Sequence, residues 1–297
     1  MDDLPDHHRA DRGQLPHRAE DEVTVRKNSP LAYVTLIAAI LLSAFPLYWL
    51  LVVATRGSDV VGDWPPPLLP GGQLADNIGR LFAADGAHFA KALLNSAIAS
   101  LTVTVSVVFF STLAGFAFAK LRFKGRDVLL ICILGTMMVP VQMGIIPLYM
   151  IMVKFGWVNQ LQAVIVPFLV SAFGVFLMRQ YTEQTVPDEL IEAARVDGAH
   201  TFRIYWTVVL PALRPGAGVL ALFTFMGAWN EFLWPLAVLE QDNPTVQFAL
   251  NQLSTSYYTD YSLMFTGALV AIVPLLVVFV ISGRQIIGGI MEGAVKA

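Results

Sequence analysis

Residues 188–198 read DELIEAARVDG, four acids and one arginine in a single short run. The stretches on either side, 155–178 and 215–239, are apolar and hold one charged residue between them, Glu231. Charge this dense does not lie in hydrocarbon, whereas its flanks are the kind of segment that crosses it. The run therefore reads as a short helix outside a membrane, between two spans. Thr185-Val186-Pro187-Asp188 marks its start: a hydroxyl before the entry, a proline near the first helical position, an acid in the first turn. Asp188, Glu189 and Glu192 load the N-terminal half and Arg195 follows near the end, the order that suits a helix dipole. Asp197-Gly198 closes it, since glycine takes a left-handed cap without strain. Leu190, Ala193 and Ala194 give one low apolar face. Physics alone leaves two readings open, a connector lying along the headgroups or a handle for another protein.

The rest of the chain supports the membrane. Of its 297 residues 56% are hydrophobic and 14% charged, against roughly 25% charged in soluble domains. The net charge of -3 and the lack of a basic block exclude a nucleic-acid partner. Cys132 is the single cysteine, so no internal disulfide can form. Residues 1–29 are polar and mixed in sign, without the apolar core of a signal peptide, and read as a disordered cytoplasmic tail. His7, His8 and His17 lie there without fixed geometry and make a poor metal site, so no metal is expected. Residues 30–297 form one transmembrane domain.

A helix needs about 20 apolar residues to cross the bilayer core. Six spans are expected, near 31–54, 94–118, 129–152, 161–180, 213–236 and 263–283, some of them bent by Pro46, Pro140, Pro147, Pro167 and Pro274. The positive-inside rule orients them. With a cytoplasmic N-terminus, fifteen of the 19 Lys and Arg residues fall inside, and only Arg56, Arg80, Lys91 and Lys154 outside. Both termini then face the cytoplasm in a multi-pass cell-membrane protein, and so does the charged helix, expected at 187–197, between the fourth and fifth spans. Small residues at 114–119 and at 216–218 allow close helix approach, within the bundle or across a dimer seam.

The residues themselves carry a likeness. Glu192-Ala193-Ala194, three residues, Gly198, nine residues, Val208, one residue and Leu210-Pro211 resemble the EAA loop of ABC importer permeases, EAA-x3-G-x9-I-x-LP, with valine in place of isoleucine. The segments MMVPVQMGIIPLYMI (137–151), GAWNEFLWPL (227–236) and GGIMEGAVKA (288–297) are similar to the maltose-permease (MalG)-like, carbohydrate-uptake branch of that family. The resemblance implies an all-α type I importer subunit whose cytoplasmic helix is a coupling helix docked in a groove on an ATP-binding subunit. Glu189, Glu192, Ala193, Ala194, Arg195, Asp197, Gly198, Leu210 and Pro211 would then be the coupling residues. It also implies the partners: a second permease subunit, a dimer of ATP-binding subunits and an extracellular sugar-binding protein. The outer loop at 237–262 would reach toward that binding protein, and the segment from Arg284 would touch the ATPase dimer.

No G-x-x-x-x-G-K-[ST] phosphate loop occurs, so this chain is expected to be no enzyme and to hold no cofactor, with ATP and Mg on the partner ATPase. In the central portions of the spans Glu231 is the one charged residue, too little for a proton-coupled symporter, which leaves a secondary transporter as the weaker class. Glu231 either reaches the interface and bonds within the bundle or touches substrate. Asn95 and Gln142 are likewise interhelical bonding groups or pathway groups, and Trp229 and Asn230 offer an aromatic face and an amide beside them. Without a central lysine or arginine, a neutral di- or oligosaccharide is expected as cargo, glycerol phosphate or another polar solute being the alternative.

Overall fold

Apolar, charge-free runs become helices, and the helices break where proline withholds an amide. The computed structural model describes residues 30–84, 86–254 and 260–295, excepting the side chains of 283–295. The expected tail at 1–29, part of the 237–262 loop and the side chains from Arg284 onward lie outside the described residues. The chain divides into two units, residues 1–45 and 46–297. Secondary structure among the described residues is entirely helical.

Helix α1 (Pro30–Ala54) is 25 residues long and carries Pro46 inside it. After it comes a cap of short turns and α2 (Leu74–Ala83). Buried Asn77 donates its side-chain amide to the Ala54 and Arg56 carbonyls at 3.0 and 2.9 Å, which serves two acceptors that the end of α1 leaves open. Helix α3 (Phe89–Lys120), 32 residues, is the central element. Its buried Ser100, Thr104 and Thr112 return their hydroxyls to carbonyls one turn back, at 2.6–2.8 Å, which lets polar residues sit in an apolar bundle.

The expected third span is two helices, α4 (Arg126–Thr136) and α5 (Ile145–Phe155), whose axes differ by 88°. Pro140 is extended, at φ -60 and ψ 127, and leads into a 3-10 turn, Val141–Gly144. Proline lacks the amide that would carry a helix through and pushes Val139 out of helical geometry. The bend that proline foretold is thus a break. The fourth span, Leu161–Thr185, contains α6 (Leu161–Ile165), a 3-10 turn at Pro167 and α7 (Ala172–Thr185). Ser171 restarts the helix by accepting the Gly174 amide at 3.1 Å.

Helix α8 (Asp188–Val196) is the charged one. The fifth span then runs through α9 (Thr201–Ile204), a π turn (Tyr205–Val209) and α10 (Leu210–Trp229). It stops at Trp229 rather than 236, and α11 (Leu233–Val238) and α12 (Val246–Ser254) follow as separate short helices. Helix α13 (Tyr261–Val295) is the last. Among the described residues five helices or continuous helical runs are long and apolar enough to cross a membrane, and the bent α4–α5 pair makes six.

Helix α3 packs chiefly on α7 and α10, and α10 also on α13. Small residues bring them together. A Cβ on Gly115 would stand 2.7 Å from the Met178 backbone, and one on Gly216 2.7 Å from the Tyr181 ring. The small residues near 115 and 216 thus serve the bundle itself.

Candidate functional site

At one end of the bundle α8 is held at both its termini. Pro187 enters extended, at φ -61 and ψ 146, and no side chain caps the start. The Thr185 hydroxyl, expected to mark the entry, donates back to the Tyr181 carbonyl at 2.7 Å instead. The start is pinned by Lys120, the last residue of α3, whose ammonium lies 2.7 Å from Asp188 Oδ1. Lys120 is 8% exposed and Asp188 76%, so the buried cation reaches outward to the helix. The hydrogen bond and charge of Lys120 hold the Asp188 carboxyl below the usual carboxylate range.

The other end closes on Gly198 at φ +79. Its amide donates to the Arg195 carbonyl and the Ala199 amide to the Ala194 carbonyl, both at 3.0 Å, the paired bonds of a Schellman cap. Between the ends Ile191, 4% exposed, enters a buried cluster with Val186, Ile204, Tyr205, Val209 and Leu213, and Ala194 leans on the same cluster. The apolar face expected at Leu190, Ala193 and Ala194 is therefore split, because Ala194 turns inward with Ile191. Exposed on the outer side are Glu189, Glu192, Ala193, Arg195, Asp197 and Val196, the last 88% exposed, with half-exposed Leu190 at the flank. Ile191 and Val196 escaped the sequence reading, though at i and i+5 they mark opposite sides of a helix.

The end of the motif has a physical account in the π turn. Proline at 211 offers no amide to the preceding turn and its ring crowds the carbonyl there. The Leu210 amide reaches back to the Tyr205 carbonyl, a widened turn that admits the ring. Leu210 packs inward and Pro211 lies exposed at the start of α10. Tyr205 is buried and its hydroxyl bonds Thr112 of α3 at 2.8 Å, which ties the turn to the central helix.

The second feature is a cavity of about 610 Å³ between α3, α10, α7 and the α4–α5 break. Of the five expected pathway residues Glu231 alone lines it. Its Oε1 accepts the Trp234 amide at 3.1 Å, so the carboxyl also serves the first turn of α11. Trp229 is buried between α10 and α13, stacked on Phe225 at 5.7 Å with its indole N–H given to the Ala271 carbonyl at 3.1 Å. A buried indole needs such a partner, which is why this ring faces a packing seam and no pathway. Asn95 gives its amide to Asn243 Oδ1 and the Pro244 carbonyl, at 3.0 and 2.9 Å. Asn230 donates to the Met226 carbonyl at 2.9 Å, and Gln142 is exposed on the 3-10 turn, outside the cavity wall.

Sequence reasoning missed the wall itself. Leu220, Phe223, Thr224, Gly227 and Ala228 precede Glu231 at helical spacing, and Ser96, Ala99, Val103 and Val107 do the same on α3. A stripe drawn back from Glu231 finds the first group.

Other proteins resemble this chain in sequence and in fold. The family described as "Binding-protein-dependent transport system inner membrane component" matches residues 107–286. The arabinooligosaccharides transport system permease protein AraQ of Bacillus subtilis (strain 168) is 32% identical over 263 residues, 86% of this chain and 92% of that protein. The lactose transport system permease protein LacG of Rhizobium radiobacter is 33% identical over 276 residues, 92% of this chain and 99% of its own. The sn-glycerol-3-phosphate transport system permease protein UgpE of Yersinia pestis bv. Antiqua (strain Antiqua) is 30% identical over 267 residues, 88% of this chain and 95% of its own. A chain in the crystal structure of a bacterial ABC transporter involved in the import of the acidic polysaccharide alginate superposes with a TM-score of 0.73 at 22% identity, over 86% of this chain and 95% of that one, a likeness of fold. The resemblance carried by Glu192 to Pro211 is borne out: the chain belongs to the family of inner membrane components of binding-protein-dependent transport systems, the permease subunits of ABC importers.

Proposed function

We propose that this chain is one of two membrane-spanning subunits of an ATP-driven importer of a neutral di- or oligosaccharide, and that α8 is the helix through which a partner ATPase moves it. The observation that carries the reading is the posture of α8. Its ends are fixed by Lys120 and the Gly198 cap, its inner side by Ile191, and an acidic and apolar ridge from Glu189 to Val196 is left uncovered. A helix bound this firmly passes a push on its outer side into α3 and the π turn. Glu189, Glu192, Ala193 and Arg195 meet the ATPase in this reading, while Ala194, Asp197, Gly198, Leu210 and Pro211 hold the shape. The α8 end faces the cytoplasm by the charge bias, and both termini lie there. ATP and Mg bind the partner's nucleotide site. An extracellular binding protein delivers the cargo at the opposite end.

The sugar reading draws on the names of AraQ and LacG relatives and on a cavity wall that, among the described residues, has one carboxyl and no lysine, arginine or histidine. UgpE favours a second cargo, glycerol phosphate. An anion in a low-dielectric pathway wants a counter-charge, and Glu231 gives the opposite. The test is uptake by the complex reconstituted with its partner subunits and binding protein, with labelled lactose, an arabinooligosaccharide and sn-glycerol-3-phosphate. Uptake of a neutral sugar is expected; uptake of the phosphate alone overturns the reading.

A further inference from the structure

We propose that the cavity beside α10 is a sugar-binding subsite belonging to this chain, with Glu231 and Thr224 as hydroxyl partners and Phe223 and Phe173 as aromatic walls. The proposal rests on the sugar-import reading above and gives it a place.

A cleft in a helical bundle is ordinarily lined by aliphatic groups, because lipid or a neighbouring helix fills it. This one differs in three respects. It holds a carboxyl, that of Glu231, which is exposed and lies two residues past the end of α10. This exposed side chain accepts the Trp234 amide on Oε1, and no further hydrogen bond to its carboxyl is made among the described residues. On the same wall Thr245 is 5% exposed, and its hydroxyl has no hydrogen-bond partner among the described residues. Buried hydroxyls are otherwise almost always bonded, so this one marks a place where a further polar group belongs.

The third respect is aromatic. Phe168, Phe173, Phe223 and Trp234 all line the cavity, and the first of these with the last are fixed by packing, Trp234 also by an indole bond to the Ala163 carbonyl at 2.9 Å. Phe173 and Phe223 are 45% and 60% exposed, rings presented rather than packed away. A carboxyl that can accept two hydroxyls, with ring faces for C–H surfaces, is the recognition chemistry of a neutral sugar. Phosphate would meet a like charge and no cation. The cavity's size, about 610 Å³, lies within the roughly 300–1,000 Å³ of small-molecule sites. Helix α10 supplies Phe223 and the Thr224 hydroxyl, and Glu231 follows just past its end, so a movement of α8 relayed through the π turn shifts them together.

The test uses the complete importer in proteoliposomes, with lactose and an arabinooligosaccharide as probes. Three variants are compared: Phe223→Ala, Thr224→Val and Glu231→Gln, the last keeping a carbonyl for the Trp234 amide. Sugar uptake and the ATP hydrolysis triggered by loaded binding protein are measured side by side. Each variant is expected to lose about tenfold in uptake, the worth of one hydrogen bond or ring contact, while triggered hydrolysis persists. The ratio of lactose to arabinooligosaccharide uptake shifts as well, which a loss of packing does not produce. Unchanged uptake in all three variants overturns the subsite. A parallel loss of uptake and hydrolysis also overturns it, and assigns the cavity to a helix of the partner permease. If the unaltered complex moves neither sugar, the sugar-import reading fails first.

Discussion

Gly198 and Gly115 are alike in sequence and forbid different things. Gly198 stands at φ +79 with open space where a Cβ would be. Any other residue there meets only the backbone cost of the left-handed region, about 1–2 kcal/mol. Gly115 is helical, but a Cβ would press on Met178 and Arg179 backbone at 2.7 and 2.8 Å, which no rotamer relieves. Overpacking of that kind costs about 1–3 kcal/mol and must part α3 from α7. Gly115→Ala is therefore expected to lower the thermal midpoint of the purified complex more than Gly198→Ala, while Gly198→Ala disturbs the ratio of uptake to ATP hydrolysis. Equal midpoints would remove the case for a close α3–α7 seam. The cap at 198 was legible because Asp-Gly after a helix has few other uses. The seam at 115 was half legible, since small residues show where approach is allowed but not what approaches.

The ion pair at the start of α8 has a pH signature whose sign can be worked out. Asp188 is held below its ordinary value, 3.8, by the hydrogen bond and charge of Lys120. A carboxyl with a lowered folded-state value gives stability that is full above the unfolded value and lost as pH falls through the folded one. The window thus lies below about pH 4, and the pair is fully formed from pH 5 to 8. Asp188→Asn is expected to weaken coupling by the same factor at pH 6 and pH 8, and Lys120→Arg to preserve it. A defect in Asp188→Asn that appears at only one of these pH values would count against the pin.

At the scale of elements, α8 came out of the sequence with nearly its true bounds, yet its inner and outer sides were misdrawn. Composition named the apolar residues; it could not say which of them the bundle already used. Ile191 is taken by the cluster under the helix, and Val196, at 88% exposure, is not. This division yields a test free of folding cost. Val196→Asp adds charge at an exposed position and so leaves the bundle intact, yet it puts a charge where the proposed groove closes. It is expected to abolish co-purification of the ATP-binding subunit, as is Glu192→Lys, with membrane insertion unchanged in both. Retention of the ATPase at normal stoichiometry in the two variants would sink the coupling assignment. The α4–α5 break was illegible for a different reason. Proline at 140 announces a bend, but whether it becomes a kink or an 88° turn depends on what neighbours fill the corner.

For the whole molecule, the spans were readable because hydrocarbon accepts one kind of segment, and charge-free runs of the required length are rare elsewhere. The cavity was not readable, because its walls come from five parts of the chain that only packing brings together. Orientation is a separate matter, carried by charge rather than shape. With both termini cytoplasmic, fifteen of the 19 lysines and arginines are expected on the side of α8, among them Lys120, Arg122, Lys124 and Arg126 in one short connection. Each such residue near a span costs free energy to carry across, and the bias sets topology during insertion. The expected outcome is that α8 faces the cytoplasm and the 240–254 region the outside. Cysteine placed singly at Glu189 and at Glu240, both exposed, tests this in a Cys132→Ser background, since Cys132 is itself exposed. In intact cells a membrane-impermeant maleimide should label position 240 and leave position 189 untouched until the membrane is opened. Labelling of 189 from outside would invert the molecule, and α8 would then face a side on which there is no ATP to couple.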